Sequence, residues 1–344
     1  MPDDRTTVTE LATALGTLAL ASPAQALRAR PAELALTQDT WERLDALHAS
    51  GRFATEFAAA WENGQAFLHA PDALRGRPPR LVEWTGGWRP PGDEAAPVDL
   101  RIDHVYLVSC KYLSRAIANP SPARLFDGLL ATSGSWSQRD WYEEVAPEAY
   151  LELYRACRET TGLRALPDDP ALLTGAQRQL LRRSLPGRAY PAPAQAAYRR
   201  LCDEVSRRSA ERWAANASTP ADKQRLTWRL LRIGNAPYFL LGADPGRPLR
   251  LRVASPWDWR AAFELLDLAI SAADAGQPRV DWAIRYRRRG DRQELETRGH
   301  VEIRWSHGRF AQPPEAKVYL DTPTDELPGY FPLGGGPAQP ALWE

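Results

Sequence analysis

The stretch VDLRIDHVYLVSCKY, Val98 to Tyr112, carries an aspartate, a serine and a lysine at spacings that could act on a phosphate. Asp99 can offer a hard oxygen to a divalent cation, and Lys111, twelve residues later, can place a compact positive charge beside a scissile phosphate or orient an attacking water. Lysine is rare here: Lys111, Lys223 and Lys317 are the only three, against 41 arginines among 44 basic residues. Arginine would serve poorly at such a position, because its guanidinium never loses its proton and its fork favours bidentate contacts. The plain alternative stays open, that the hairpin is structural and its lysine a solvated strand end.

Positioning these side chains requires a hairpin. VDLRI and VYLVSCKY read as two strands separated by Asp103 and His104. Alternation sends Ser109 and Lys111 to one face and Cys110 to the other, and the hairpin lets Asp99 approach the Ser-Lys face. Before it, residues from about 6 to 70 read as helices with a break at Pro31 and a cap at Thr37 or Asp39, followed by a strand in RLVEW and a Pro/Gly/acid loop. Helices return from Arg124 to Trp213. Further on, APYFLLGA and RPLRLRVA flank an Asp-Pro-Gly-Arg turn, and WRAAFELLDLAISAADAG reads as one periodic helix capped at Ser255 or Asp258. RVDWAIRYRRRG, HVEIRWSHGRF and AKVYLD then form an expected antiparallel trio. The expected segments are 1–45 (helical), 46–150 (core with the hairpin), 151–228 (helical), 229–330 (α+β) and 331–344 (Pro/Gly-rich tail).

The region from about 50 to 145 resembles the PD-(D/E)xK nuclease superfamily, which includes many restriction endonucleases. The resemblance rests on a helix bearing Glu56 and Glu62, a strand with Glu83, the run Pro97-Val98-Asp99, and an apolar strand ending Ser109-Cys110-Lys111. Gln138 and Tyr142 echo the Q-x-x-x-Y element of the RecB-like branch. Two departures stand out: a valine separates the proline from the aspartate, and Ser109 occupies the place of the second acid. The resemblance implies an α/β, restriction-endonuclease-like mixed sheet flanked by helices, with helical insertions and a C-terminal α+β region. It implies Asp99 as metal ligand, Lys111 as catalytic lysine, and Mg²⁺ or Mn²⁺ as cofactor. The missing acid would come from Glu83, the preferred candidate and second metal ligand, or from Asp127 on a following helix, or from Glu62.

Other motifs compete. Glu315-Ala316-Lys317 is a literal E-x-K, preceded only distantly by Asp281. His300, Glu302 and His307 could suggest a metal site, although alternation sets His307 apart. The tip RYRRRGDRQ, with Arg287, Arg288, Arg289 and Arg292, reads as a phosphate-contacting loop or a solvated turn. Trp257, Trp259, Trp282 and Trp305 are core residues before they are stacking platforms.

Composition excludes more than it selects. A formal charge of +1 means that nucleic acid would have to be met by local patches. Cys110, Cys157 and Cys202 lack CxxC spacing, so neither a zinc site nor a disulfide framework is indicated, and a cytoplasmic setting fits. LATALGTLALASPAQA lacks a basic start, which argues against a signal peptide, and no apolar run reaches membrane-spanning length. Neither a P-loop nor a dinucleotide fingerprint occurs. The expected function is Mg²⁺-dependent DNA endonuclease activity in bacterial restriction-modification or antiviral defence, with DNA, a second copy or a defence-system protein as partner. The alternatives are a non-catalytic nucleic-acid-binding or partner-binding protein on a degenerate nuclease fold, and a plain accessory protein.

Overall fold

Short polar residues start the first three helices. Asp3, Ser22 and Thr37 each accept a backbone N–H three residues on, capping α1 (Asp4–Gly16), α2 (Pro23–Ala29) and α3 (Gln38–Ala49). After α4 (Ala54–His69) come β1 (Val82–Trp84), β2 (Leu100–Ile102), β3 (Tyr106–Tyr112) and β4 (Ala116–Ala118). The helices α5 (Pro122–Phe126), α6 (Trp141–Val145), α7 (Pro147–Thr161), α8 (Gly175–Ser184), α9 (Ala192–Asn216) and α10 (Pro220–Leu230) follow. The chain continues through β5 (Tyr238–Asp244), β6 (Arg247–Val253), α11 (Pro256–Ala262), β7 (Phe263–Asp274), β8 (Pro278–Arg288), β9 (Glu294–Arg304), β10 (Glu315–Leu320) and β11 (Tyr330–Pro332). This computed structural model describes residues 3–86, 98–112, 116–130, 139–185, 189–244 and 247–335. Pro97 and Gln138 lie outside the described residues.

The elements gather into two interleaved units, one of residues 1–114, 231–263 and 323–344, the other of 115–230 and 264–322. Segments 46–150 and 229–330 therefore contribute to both. The class is mixed α/β with two sheets, one mixed and one antiparallel.

In the first unit the strand order is β1-β2-β3-β5-β6-β11, with only the β3–β5 pairing parallel. The β2–β3 hairpin turns where expected: Asp103 and His104 both take left-handed φ, 49° and 59°, which short polar side chains tolerate. Asp103 Oδ1 also accepts the N–H groups of Arg80 and Leu81, fixing the approach to β1. One sheet face packs on α1 and α4, burying Leu11, Leu15, Phe67, Val82, Leu100, Ile102, Val108, Phe239 and Leu241. The two helices touch at backbone level, since a Cβ on Gly64 would fall 2.2 Å from the Thr13 carbonyl oxygen.

In the second unit the sheet order is β4-β10-β9-β8-β7. Along β8 and β9 burial alternates, so Val280, Trp282, Ile284, Val301 and Ile303 form the inner face. Trp141 stacks on Phe126 and donates to Ser209 Oγ at 2.9 Å, joining α5, α6 and α9. The antiparallel trio β8, β9 and β10 forms as expected, and Trp259 and Trp282 are core residues, but Trp305 is only half-buried and Trp257, in the first turn of α11, is exposed rather than core.

One expectation fails. The run after Trp257 is not a single helix: Ser255 and Asp258 form a reciprocal cap, but α11 ends at Ala262 and Phe263–Asp274 is a strand beside β8. Helical propensity in this Ala/Leu-rich run is outweighed by a hairpin closed through Gly276, at φ 68°, and by ion pairs from β8 to Glu264 and Asp267.

Candidate functional site

Asp99 is set by its backbone before its side chain matters. Its N–H donates to the Val108 carbonyl at 2.9 Å, and its own carbonyl accepts the Thr85 N–H at 3.0 Å. The carboxylate thereby meets β3, where Oδ2 accepts the Cys110 N–H at 2.6 Å and the Ser109 hydroxyl at 3.4 Å. Ser109 is buried, so it reads as an orienting donor to Asp99. Lys111 is half-buried two residues on, on the Ser109 face by strand alternation. Beside it β5 must come close, since a Cβ on Gly242 would overlap the Lys111 carbonyl.

Glu83 shares that face. It stands opposite Arg101 in register, diagonal to Asp99. Its Oε2 is buried without a hydrogen bond, 3.3 Å from His104 Nδ1. Two carboxylates and waters are the ordinary donor set for Mg²⁺, so Asp99 and Glu83 fit that ion in kind. Among the described residues no group of three or more His, Cys, Asp or Glu is placed to hold a metal.

The other acids are placed differently. Glu62 is exposed, while its neighbour Asn63 is buried, donating to the Gly242 carbonyl at 2.8 Å and accepting from Arg250. Helix phase thus removes Glu62 from the sheet. Asp127 belongs to the second unit, gripped by Arg212 through Nε at 2.5 Å and Nη2 at 2.8 Å, with Arg212 also reaching Glu144.

One buried acid was not anticipated. Glu10, in the apolar helix α1, is 4% exposed and accepts the Trp84 indole N–H at 2.6 Å. Burial pushes the Cys110 thiol well up, and the carboxylates of Asp99 and then Glu10 push it further, so this cysteine is an inert thiol. Tyr112 next to it is likewise raised by burial, its hydroxyl hydrogen-bonded with Thr13 and Asn63. The only sequence signal for Glu10 is one acid inside TELATALGTLAL.

In the second unit the literal E-x-K sits on β10. Glu315 lies 4.0 Å from Lys317 Nζ and 3.4 Å from His307 Nε2, and it accepts from Asn119. Burial raises its carboxyl, but hydrogen bonds from Ser306 and Asn119 and the charges of Lys317 and His307 leave it lowered. Asp281 is paired with Arg279 at 2.6 Å. His300 bridges Asp321 at 2.8 Å and Glu302 at 4.0 Å while stacking on Tyr319. At the β8–β9 tip Arg288, Arg289 and Arg292 are exposed together, whereas Arg287 turns back to Glu264 at 2.7 Å. No helix among the described residues is long and apolar enough to cross a membrane. No protein-family model, curated protein or solved structure matches the chain.

Proposed function

We propose that this chain is a Mg²⁺- or Mn²⁺-dependent deoxyribonuclease acting in bacterial restriction or defence. The observation that carries the reading is the Asp99 carboxylate, oriented by the Cys110 N–H and the Ser109 hydroxyl on the sheet face that Lys111 shares. The sheet supports it too: three consecutive antiparallel strands, preceded by a helix and followed by a parallel partner, suit a restriction-endonuclease-like core. Asp99 and Glu83 would hold the ion, which supplies charge neutralisation at the scissile phosphate and activation of water. Ser109 keeps the Asp99 carboxylate turned toward β3. Lys111 would bring its ammonium to a phosphate oxygen, and Arg288, Arg289 and Arg292 would meet the backbone of the duplex. Incubating purified protein with supercoiled plasmid and Mg²⁺ or Mn²⁺ should give nicked or linear product, and Lys111→Ala should lose it with an unchanged circular dichroism spectrum. Cutting by the alanine variant at the wild-type rate would overturn the assignment.

A second reading, a non-catalytic nucleic-acid-binding or partner-binding protein on the same scaffold, is favoured by the buried serine in the second acid's place. It expects DNA retention without cleavage under any divalent cation, equally in wild type and Lys111→Ala.

A further inference from the structure

Sheet edges expose unpaired N–H and C=O groups, and proteins blunt them with short strands, lysine, proline or a cover. Three of the four sheet ends follow this pattern, since β1, β4 and β11 are each three residues long. β1 is further guarded by a bridge between Leu34 and Val82. The fourth does not: β7 ends the second sheet with twelve residues, FELLDLAISAAD, containing no lysine, proline or glycine. Ala269, Ser271, Ala272 and Asp274 in its second half are exposed. Among the described residues β8 is its one strand neighbour in the sheet.

We infer that β7 pairs antiparallel with β7 of a second copy of this chain, joining the two five-stranded sheets across a two-fold axis at Ser271. The choice of a second copy follows from charge and symmetry. Glu264 is neutralised by Arg287, and Asp267 by Lys223 and Arg285, which leaves the exposed Asp274 at the end of the strand as its one carboxylate with no ion pair among the described residues. A two-fold at Ser271 sets Ala269 against Ala273, Ile270 against Ala272 and Leu268 against Asp274, with no like charges opposed. Around the axis Ala269, Ser271, Ala272 and Ala273 are small enough for the strands to approach. A strand pair of this length falls in the small interface class, so the association is reversible and in the micromolar range.

Sedimentation velocity from about 1 to about 200 µM should show a concentration-dependent dimer. Ser271→Lys, which places two ammonium groups face to face, should remain monomeric throughout, with its melting temperature within a few degrees of wild type. Directly opposed residues in such a pair have Cα atoms about 4.5–5.5 Å apart, within disulfide reach. Ser271→Cys should therefore form a covalent dimer under air with a copper(II) catalyst, which wild type should not. A wild type that stays monomeric, a dimer that survives Ser271→Lys, or a Ser271→Cys variant that does not cross-link while its dimer persists each overturns the inference. None of these outcomes depends on whether the chain cuts DNA.

Discussion

Two strands carry a lysine two residues after a polar side chain, and their carboxylates are held in different ways. On β3 the Asp99 carboxylate accepts from the Cys110 N–H and the Ser109 hydroxyl, which fix its direction. On β10 Glu315 lies against Lys317 and His307, and Asp281 and Glu302 beside it are met by Arg279 and Arg304. The second set is an ion-pair ladder across one sheet face, the ordinary way to keep a polar surface neutral. The literal motif is a poor candidate, because a carboxylate already paired with cationic side chains must give them up to hold a metal ion.

The largest expected effect breaks or keeps this comparison outright. Lys111→Ala should lower DNA cleavage by roughly 10²–10³-fold or more, the scale of removing one preorganised charge from a transition state. Lys317→Ala should leave the rate within about twofold, since a long, partly exposed ladder pair contributes little. The reverse result, from single-turnover cleavage of both variants, would move the site to β10.

Next in size is the metal set. Asp99→Asn and Glu83→Ala should each weaken Mn²⁺ binding by about tenfold or more in calorimetry, because each removes a charged oxygen that the cation needs. Asp127→Ala should leave affinity unchanged and instead cost stability by releasing Arg212 from its bidentate pair. Should Asp127→Ala, and not Glu83→Ala, weaken Mn²⁺ binding, the second unit supplies the missing acid.

A smaller effect concerns the arginine tip. Replacing Arg288, Arg289 and Arg292 together by alanine should weaken DNA binding and reduce its log–log salt slope by roughly 0.9 for each phosphate that is no longer neutralised. Adding Arg287→Ala should change the slope little further, since that side chain is committed to Glu264. Fluorescence anisotropy at several salt concentrations reads both, and an unchanged slope in the triple variant makes the tip a solvated turn.

Local chemistry was legible and distant pairing was not. The Asp103-His104 turn and the Thr37 and Ser255 caps follow from residues within a few positions of one another, and the β8–β9–β10 trio pairs strands that are consecutive in sequence. The parallel partner of β3 is β5, and nothing near Tyr112 announces that its neighbour begins at Tyr238. Glu10 escaped for the same reason, its partner Trp84 being 74 residues away. Glu62 was lost to helix phase: a one-residue rotation decides whether α4 turns a glutamate or Asn63 to the sheet, and alanines on both sides leave the pattern ambiguous. β7 escaped because a run rich in leucine and alanine keeps its strand form only beside β8.

The smallest effect tests whether neutral donors alone make a charge-holding site. Asp140, in the second unit, has the same kinds of donors as Asp99: the Tyr142 N–H at 3.0 Å and the Tyr150 hydroxyl at 3.3 Å. Burial nevertheless pushes its carboxyl up to about 6 from 3.8, against the lowering pull of those hydrogen bonds. A native carboxyl that keeps its proton more tightly than the unfolded chain favours folding fully below the unfolded value, and that contribution is lost as pH rises from 3.8 through about 6. Asn keeps the cap acceptor and abolishes the charge. Asp140→Asn should thus stabilise the protein by about 1 kcal/mol at about pH 7, allowing for partial exposure, and leave it little changed at about pH 4. Urea unfolding at both pH values checks this, and an equal gain at both would remove titration as the cause. If the pH-dependent gain is found, a pair of neutral donors does not by itself keep a carboxylate charged. On the proposed nuclease reading, a cation at Asp99 would then need the second carboxylate of Glu83, which the calorimetry variants test directly.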